Sequence, residues 1–466
     1  MIDPAVLADN PAGRLCDQLV GAIPPEARDL RERISAVKAT LDQPLRVALT
    51  GRVSAGKSTL LNALVGRRIA ATAAEECTRY PMVFRYGAPE AAVGITRDGR
   101  RLPLSIAALL GQAPFTPGEP IVFAEVTLQS DVLEHLTLID TPGLAATAPH
   151  RQVADATIDL AAGAEVVLHL FRGAARSDDT AVLDEMRQSS GGPDRGAATT
   201  IGLLSHADNL GSGGWGEDDA IGLARESARR VAASLPNHFT TVLPVSGLMA
   251  ETARTGRVTE SDARTLRALA GLPREAAQFA HGVDADVHQR LSALLTPYGL
   301  NHGRQHASTS SALGEWLLDA SGVRSLEDAL RGAAVRARHV RTARVLDDLV
   351  HVARQEPHLP DLGRCVEAFA HSPWGHVTKE VRAERVLSHE RPHSPWVKDL
   401  RNLLSYPTPE QRLGVVPPGA DVRQWATDQA GHYQAESGVA RGGAEREAAR
   451  TLAQSMLHLS RTGTPS

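Results

Sequence analysis

The sequence predicts an α/β fold in which a doubly wound, mostly parallel sheet is joined to an α-helical bundle or stalk built from both chain ends. Three observations predict it. Between Leu45 and Leu248, short strand-like runs alternate with helical patterns, as parallel β-α-β winding requires. The first of those strands runs directly into Gly51-x-x-x-x-Gly56-Lys57-Ser58. Outside that region the strand-like runs stop, and apolar residues recur every three or four positions.

Residues 1–44 read as a helical arm, with Leu30, Ile34, Val37 and Leu41 at helical spacing and Pro25 early in the segment. From 45 to 255 the period changes. The runs LRVALTG, YPMVFRYG, IVFAEVTL, LTLID, EVVLHLF, TTIGLLS and TTVLPVS read as strands, and residues 57–66, 151–162, 177–188 and 217–235 as helices. Residues 256–466 read as the helical bundle. Within it, a candidate helix at 326–356 has Ser325 and Asp328 in a capping-box pattern ahead of a stripe of Leu326, Leu330, Ala333, Ala337, Val340, Leu346, Val350 and Ala353. At ~1.5 Å per residue it would span roughly 45 Å, which suits a stalk. GAEREAARTLAQSMLHL repeats the helical period near the C-terminus. HSPW occurs at 371–374 and again at 393–396. Ser before Pro is a natural cap and first-turn pair, so each is read as a helix start. The second reading places Trp374 and Trp396 at a membrane-facing tip as interfacial anchors.

Composition narrows the function classes. Apolar residues make up 42% of the 466 and aromatics only 4%, so the core rests mainly on Ala, Leu and Val, a mixture that favours helices. The formal charge of -4, from 50 Lys plus Arg against 54 Asp plus Glu, gives no whole-molecule attraction to nucleic acid or anionic lipid. No nucleic-acid partner is expected. Cys16, Cys77 and Cys365 lack metal-ligand spacing and suit a reducing compartment. The first residues lack the basic start and apolar core of a signal peptide, and no apolar run approaches the ~20 residues of a spanning helix. The expected location is cytoplasmic, with any membrane contact peripheral at the inner face of the cell membrane.

The phosphate signal is the densest. A phosphate chain needs many donors at close range, and the loop Gly51, Arg52, Val53, Ser54, Ala55, Gly56, Lys57, Ser58, Thr59 provides them between a buried-type strand and a helix. Its backbone N–H groups curl round the anion, the helix N-terminus adds its dipole, Lys57 reaches the β and γ phosphates, and Ser58 binds Mg²⁺. Further on, LTLIDTPGL brings Asp140 to a strand end, where its carboxylate holds a magnesium-bound water, while the Gly143 N–H senses the γ phosphate. Between them, Thr78 precedes a strand and can place a hydroxyl on Mg²⁺; Thr72 is the second candidate.

Base recognition is expected in IGLLSHADNL. Guanine offers two donors on one edge, and the Asp208 carboxylate accepts both; adenine has no such pair. His206 can stack on the base, and Ser205 replaces part of the hydrogen bonding of the usual Asn. The expectation is guanine specificity with reduced affinity. After a later strand, Ser246 and Gly247 are placed to present N–H groups to the guanine oxygen.

With these residues in hand, GRVSAGKSTLLNALVG, ECTRYP, DTPGL, LLSHADNL and PVSGLMAETAR are similar to the GTPase domain of bacterial dynamin-like proteins, nearest the actinobacterial group that includes the isoniazid-inducible type. The motifs are dense over 45–255. The resemblance implies a P-loop GTPase domain on the sheet and a mechanoenzyme that turns GTP into GDP and phosphate. It also implies pairing of two such domains across the nucleotide, a stalk that acts at membranes, and as partners a second copy or a second dynamin-like protein. By the same resemblance Ser54, Lys57 and Thr78 are the catalytic residues, with Ser54 and the backbone around Thr78 ordering water and a monovalent cation (K⁺ or Na⁺) in the dimer. Two departures stand out. Val53 occupies the place of the catalytic glutamine of eukaryotic dynamins, and the helical half shows no long apolar paddle. Leu144 follows Gly143, so no side chain takes the water-orienting position of small GTPases, and slow hydrolysis by a lone domain is expected. The loop NLGSGGWG, with Trp215 exposed at its tip, reads as a dimer contact or as a solvent loop. Two other classes remain open: a soluble regulatory GTPase switch, and a nucleotide-binding scaffold with little turnover.

Overall fold

Every run read as a strand forms one, and a hairpin joins them. In the computed structural model, which describes residues 11–69, 80–109, 121–142, 158–161, 163–173, 177–189, 199–216, 219–278, 283–406, 409–413, 416–417 and 420–462, the strands are β1 (Leu45–Gly51), β2 (Met82–Tyr86), β3 (Ala91–Thr96), β4 (Arg101–Leu104), β5 (Ile121–Leu128), β6 (Leu136–Asp140), β7 (Val166–Phe171), β8 (Thr199–Ser205) and β9 (Thr241–Val245). They form one 9-stranded sheet in the order β4-β3-β5-β2-β6-β1-β7-β8-β9. Strands β6, β1, β7, β8 and β9 run parallel, while β2 joins β6 antiparallel. Every residue of β6, β7 and β8 is buried, as expected of strands covered on both faces.

The β3-β4 hairpin was not among the expected strands. AAVGIT and RLPL are short, and Pro103 confines the second to the edge of a sheet. Its local signal is Asp98-Gly99, with Gly99 at φ +79° in the turn.

The chain divides into two compact units, one of Pro44–Asp328 and one of Met1–Gln43 with Ala329–Ser466, whereas the sequence reading divided it after 255. Helices Glu260–Leu269, Ala285–Gly303 and Ser310–Ala320 bury Leu266, Leu291, Leu295 and Leu317 in one core with Phe171, Leu204 and Met249. A helical stripe marks which face is buried but not what covers it.

The helical unit is built from both chain ends. Leu15, Cys16, Leu19 and Ile34, on helices Pro11–Ala22 and Arg28–Ala39, share a core with Val345, Leu349, Leu362 and Val366. Helix Val323–Gln355 starts earlier than its capping-box pattern predicts. Gly322, at φ +77°, turns the chain, and Val323 N–H donates to Ser321 Oγ at 3.4 Å, so Ser325 and Asp328 lie inside the first turns. Both SPW segments start helices, Pro373–Glu390 and Pro395–Ser405. Ser372 Oγ accepts from Gly375 N–H at 3.1 Å. Trp374 is 50% exposed, but Trp396 packs against the cluster of Leu400, Leu403 and Leu452, so the two are not a matched pair of surface anchors. Among the described residues, no group of three or more His, Cys, Asp or Glu is disposed to hold a metal ion.

A polar network crosses this second cluster. Buried Glu384 accepts from Arg336 at 2.7 Å and Arg401 at 3.0 Å, and buried Glu380 accepts from Arg412 at 2.5 Å and Ser455 at 2.7 Å. Burial alone would raise the Glu384 pKa; the two guanidiniums outweigh it and bring it down to about 2. Removing that carboxylate leaves two arginines without their buried counter-charge. Glu384→Ala is therefore expected to destabilise the protein by about 3–5 kcal/mol, seen as a lower urea midpoint at neutral pH; a shift below ~1 kcal/mol would show that the network relaxes into solvent.

Candidate functional site

The turn from β1 into helix Lys57–Val65 is set by backbone geometry. Gly51 adopts φ +136°, and a Cβ there would lie 2.3 Å from the Leu170 carbonyl oxygen on β7. No other residue fits. Thr50, paired with His169 across β1 and β7, holds the strand end through a buried Oγ1 to Nδ1 hydrogen bond of 3.0 Å. Gly56 at φ +91° ends the loop as the helix N-cap, and between the glycines Ser54 takes φ +59°, a conformation uncommon outside glycine.

Arg52, Ser58 and Thr59 are half-buried, Ala55 is buried, and Val53 and Ser54 face solvent. Lys57 is buried and folds back over the loop, donating to Gly51 O at 3.0 Å and Arg52 O at 2.9 Å. On the neighbouring strand, fully buried Asp140 ends β6 level with Leu49. Thr141 then ties that end to β1, its Oγ1 donating to Leu49 O at 2.7 Å. Thr72, Thr78, Gly143 and Leu144 lie outside the described residues.

The base-side loop closes against the phosphate loop. His206, at φ +54°, caps the short 3-10 turn Ala207–Asn209 that carries buried Asp208. Its Nε2 lies 3.9 Å from where a Gly56 Cβ would be. Burial, with the nearby Arg172 charge, lowers the His206 pKa against the opposing pull of Asp208. At neutral pH the ring is therefore uncharged, and Nε2 has no hydrogen-bond partner among the described residues.

Three expectations change. Ser205 is buried and spends its hydroxyl on Phe171 O at 3.0 Å, clamping β8 to β7 rather than standing in for the base-reading Asn. Ser246 caps helix Gly247–Arg254, but its N–H donates to Ser321 O at 2.9 Å and so is already engaged. Gly247 lies against the phosphate-loop helix, a Cβ there falling 3.6 Å from the Thr59 side chain. Trp215 is half-buried against the core rather than exposed at a loop tip.

Sequence reasoning missed one group here. Buried Asn62 donates Nδ2–H to buried Glu251 at 3.0 Å and accepts the Ile69 N–H at 2.8 Å, and Arg68 pairs with Glu251 at 3.2 Å. These bonds join the helix after the phosphate loop to the helix after Ser246. The only local signal is a polar residue inside an apolar helical run.

Residues 47–205 match the Dynamin family. The isoniazid-induced protein IniC of Mycobacterium tuberculosis is 37% identical over 254 residues, 52% of this chain and 50% of that protein, in two strains. The chain thus spans about half the length of the curated relatives it matches. Among solved structures, an oligomerised bacterial dynamin pair described as sensing and tethering membranes over long range is 13% identical, covering 97% of this chain and 91% of that one at a TM-score of 0.34. Era in complex with MgGDPNP and 16S ribosomal RNA is 16% identical, covering 49% and 67% at a TM-score of 0.27.

The close approach at Gly51 generates a direct test. Gly51→Ala combines a disfavoured φ with a backbone collision against Leu170, and is expected to cost at least about 1–3 kcal/mol. Thermal unfolding would register this, and a melting temperature equal to wild type would mean that β1 and β7 can separate without penalty.

Proposed function

We propose, from the Dynamin family match over residues 47–205, that this chain binds guanine nucleotide with Mg²⁺ and hydrolyses GTP to GDP and phosphate as a dynamin-like mechanoenzyme. The observation that carries the reading is a shared edge. The Gly51–Ser58 loop, Asp140 and the His206–Asp208 turn stand at the ends of β1, β6 and β8, which with β7 run parallel, so they emerge on one side of the sheet, where open α/β sheets bind ligands.

On that edge the groups divide the work. The loop N–H groups and the helix N-terminus take the phosphates. Lys57, held in reserve on the Gly51 and Arg52 carbonyls, exchanges those bonds for the stronger charge-assisted contact with β and γ oxygens. Ser58 and Asp140 offer only oxygen donors, which suits a hard cation, with Thr78 as the further hydroxyl. A Mg²⁺ held by these groups would supply charge neutralisation to the phosphates. Uncharged His206 offers a flat ring for stacking, and Asp208 takes the two guanine donors.

Catalysis needs more than one copy in this reading. Val53 is apolar and 37% exposed on the phosphate loop, so it supplies no water-orienting group. Pairing of two domains across the nucleotide would let Ser54 and the backbone near Thr78 order the attacking water, with K⁺ or Na⁺ offsetting charge. Action at the membrane would be peripheral and on the cytoplasmic side; among the described residues, no helix is long and apolar enough to cross a membrane. The partners in this reading are GTP and GDP, a second copy or a second dynamin-like protein, and a lipid surface.

Asp208→Asn sets an amide against the guanine donor edge and removes a charge. It should weaken GTP by roughly tenfold to a hundredfold, the worth of a charge-assisted hydrogen bond, while gaining XTP, whose 2-oxo group accepts from the new amide. Titrating both proteins with labelled GTP, XTP and ATP decides it; an unmoved GTP-to-XTP preference ends the guanine assignment. Single-turnover hydrolysis at rising protein concentration should accelerate cooperatively, whereas a flat, slow rate would favour a nucleotide-binding scaffold.

A further inference from the structure

Helix Ala285–Gly303 contains a break. Thr296 stands at φ +62°, ψ +164° between two helical pieces, a conformation that costs a β-branched residue about 1–3 kcal/mol. Pro297 opens the second piece, and Gly299 N–H donates to Thr296 Oγ1 at 3.4 Å. Strain of this kind persists only where the surroundings hold it, and here two sides do.

On one side is the loop that continues from Asp208. A Cβ on Gly214 would lie 2.0 Å from Tyr298 N and 2.5 Å from the Pro297 carbonyl carbon, so the loop sits directly on the break. Buried Asn301 donates to Gly214 O at 3.1 Å. Tyr298 Oη donates to Asp219 Oδ1 at 3.3 Å, and Arg274 donates to Gly216 O at 2.7 Å. On the other side is the helix that continues from Ser246. Its Thr252, fully buried, donates Oγ1–H to Leu294 O at 2.6 Å, and Gly299 packs beside Met249, a Cβ there falling 3.9 Å from Met249 Cγ. Ala207 of the Asp208 turn lies in the same core as Leu294, Leu295 and Tyr298.

We infer that this break is a positioning device for the base side of the nucleotide site. It fixes the spacing between the Asp208 loop and the helix after Ser246, and Asn301 is the positioning residue that locks the loop to it. The inference rests on the proposed reading of Asp208 as the guanine acceptor. It comes from residues outside the 47–205 that match the Dynamin family. The physical logic is that a carboxylate accepts two donors at once only if its backbone is held, and a turn as short as Ala207–Asn209 cannot hold itself.

Inosine triphosphate reads the seat of Asp208, because it lacks the exocyclic amine and keeps N1–H. In the full chain, wild type should prefer GTP to ITP. Asn301→Ala should weaken GTP more than ITP and shrink that preference by about tenfold, the worth of one charge-assisted bond. Tyr298→Phe removes only the bond to Asp219 and should act in the same direction by about twofold to fivefold; it carries the test if Asn301→Ala does not fold. Equal loss of both nucleotides would mark general destabilisation and overturn the inference, as would a folded variant with the wild-type preference. A wild type that binds GTP and ITP alike would remove the guanine reading and this inference with it.

Discussion

The candidate site depends on how closely β1 approaches β7 at Gly51. The missing side chain there lets the Leu170 carbonyl stand where a Cβ would be, and φ +136° turns the chain out of the sheet at once. Because the turn is immediate, the phosphate loop starts at the end of β1 and runs through the N-cap Gly56 into helix Lys57–Val65, whose N-terminus suits an anion. On one flank Asp140 is registered with, and Thr141 bonded to, Leu49 of β1; on the other Ser205 is bonded to Phe171 of β7. A longer exit from β1 would separate the phosphate donors from the groups proposed to meet the metal and the base.

The base side is supported differently. His206 on its loop and Ser54 on the phosphate loop are both non-glycine residues at positive φ, and the His206 ring closes on the phosphate loop, Nε2 lying 3.9 Å from where a Gly56 Cβ would be. Two buried polar groups, Asn62–Glu251 and Asn301–Gly214, tie the flanking segments into the surrounding helices. Each is a hydrogen bond made in a dry place, where the donor and acceptor have no water to fall back on. Such bonds define one geometry more than they add net stability. Helices 260–320 belong to the sheet unit through the apolar core they share with it.

The helical unit follows the same rule with charges. Glu380 and Glu384 are buried among Arg336, Arg401 and Arg412. A buried ion network repays little more than its own desolvation. What the pairs do is satisfy the buried carboxylates, two guanidiniums on Glu384 and one on Glu380.

Local order settled what sequence reading could reach. The strands at the sheet centre, the Gly51 to Ser58 loop, Asp140 and Asp208 at strand ends, and both SPW helix starts were legible because each follows from neighbouring residues: apolar runs, glycines that allow a turn, and Ser-Pro pairs that start a helix. The β3-β4 hairpin was less so, since edge strands carry little hydrophobic signal. What the sequence left undecided were partnerships between distant segments. Whether helices 260–320 cover the sheet or join the bundle, whether Ser205 faces a base or the Phe171 carbonyl, whether the Ser246 N–H is available or held by Ser321, and why Thr296 is strained all turn on which surfaces meet. An apolar stripe or a hydroxyl is the same in sequence whatever lies opposite it. Only packing, which brings residues far apart in the chain within hydrogen-bond reach, decides the partner.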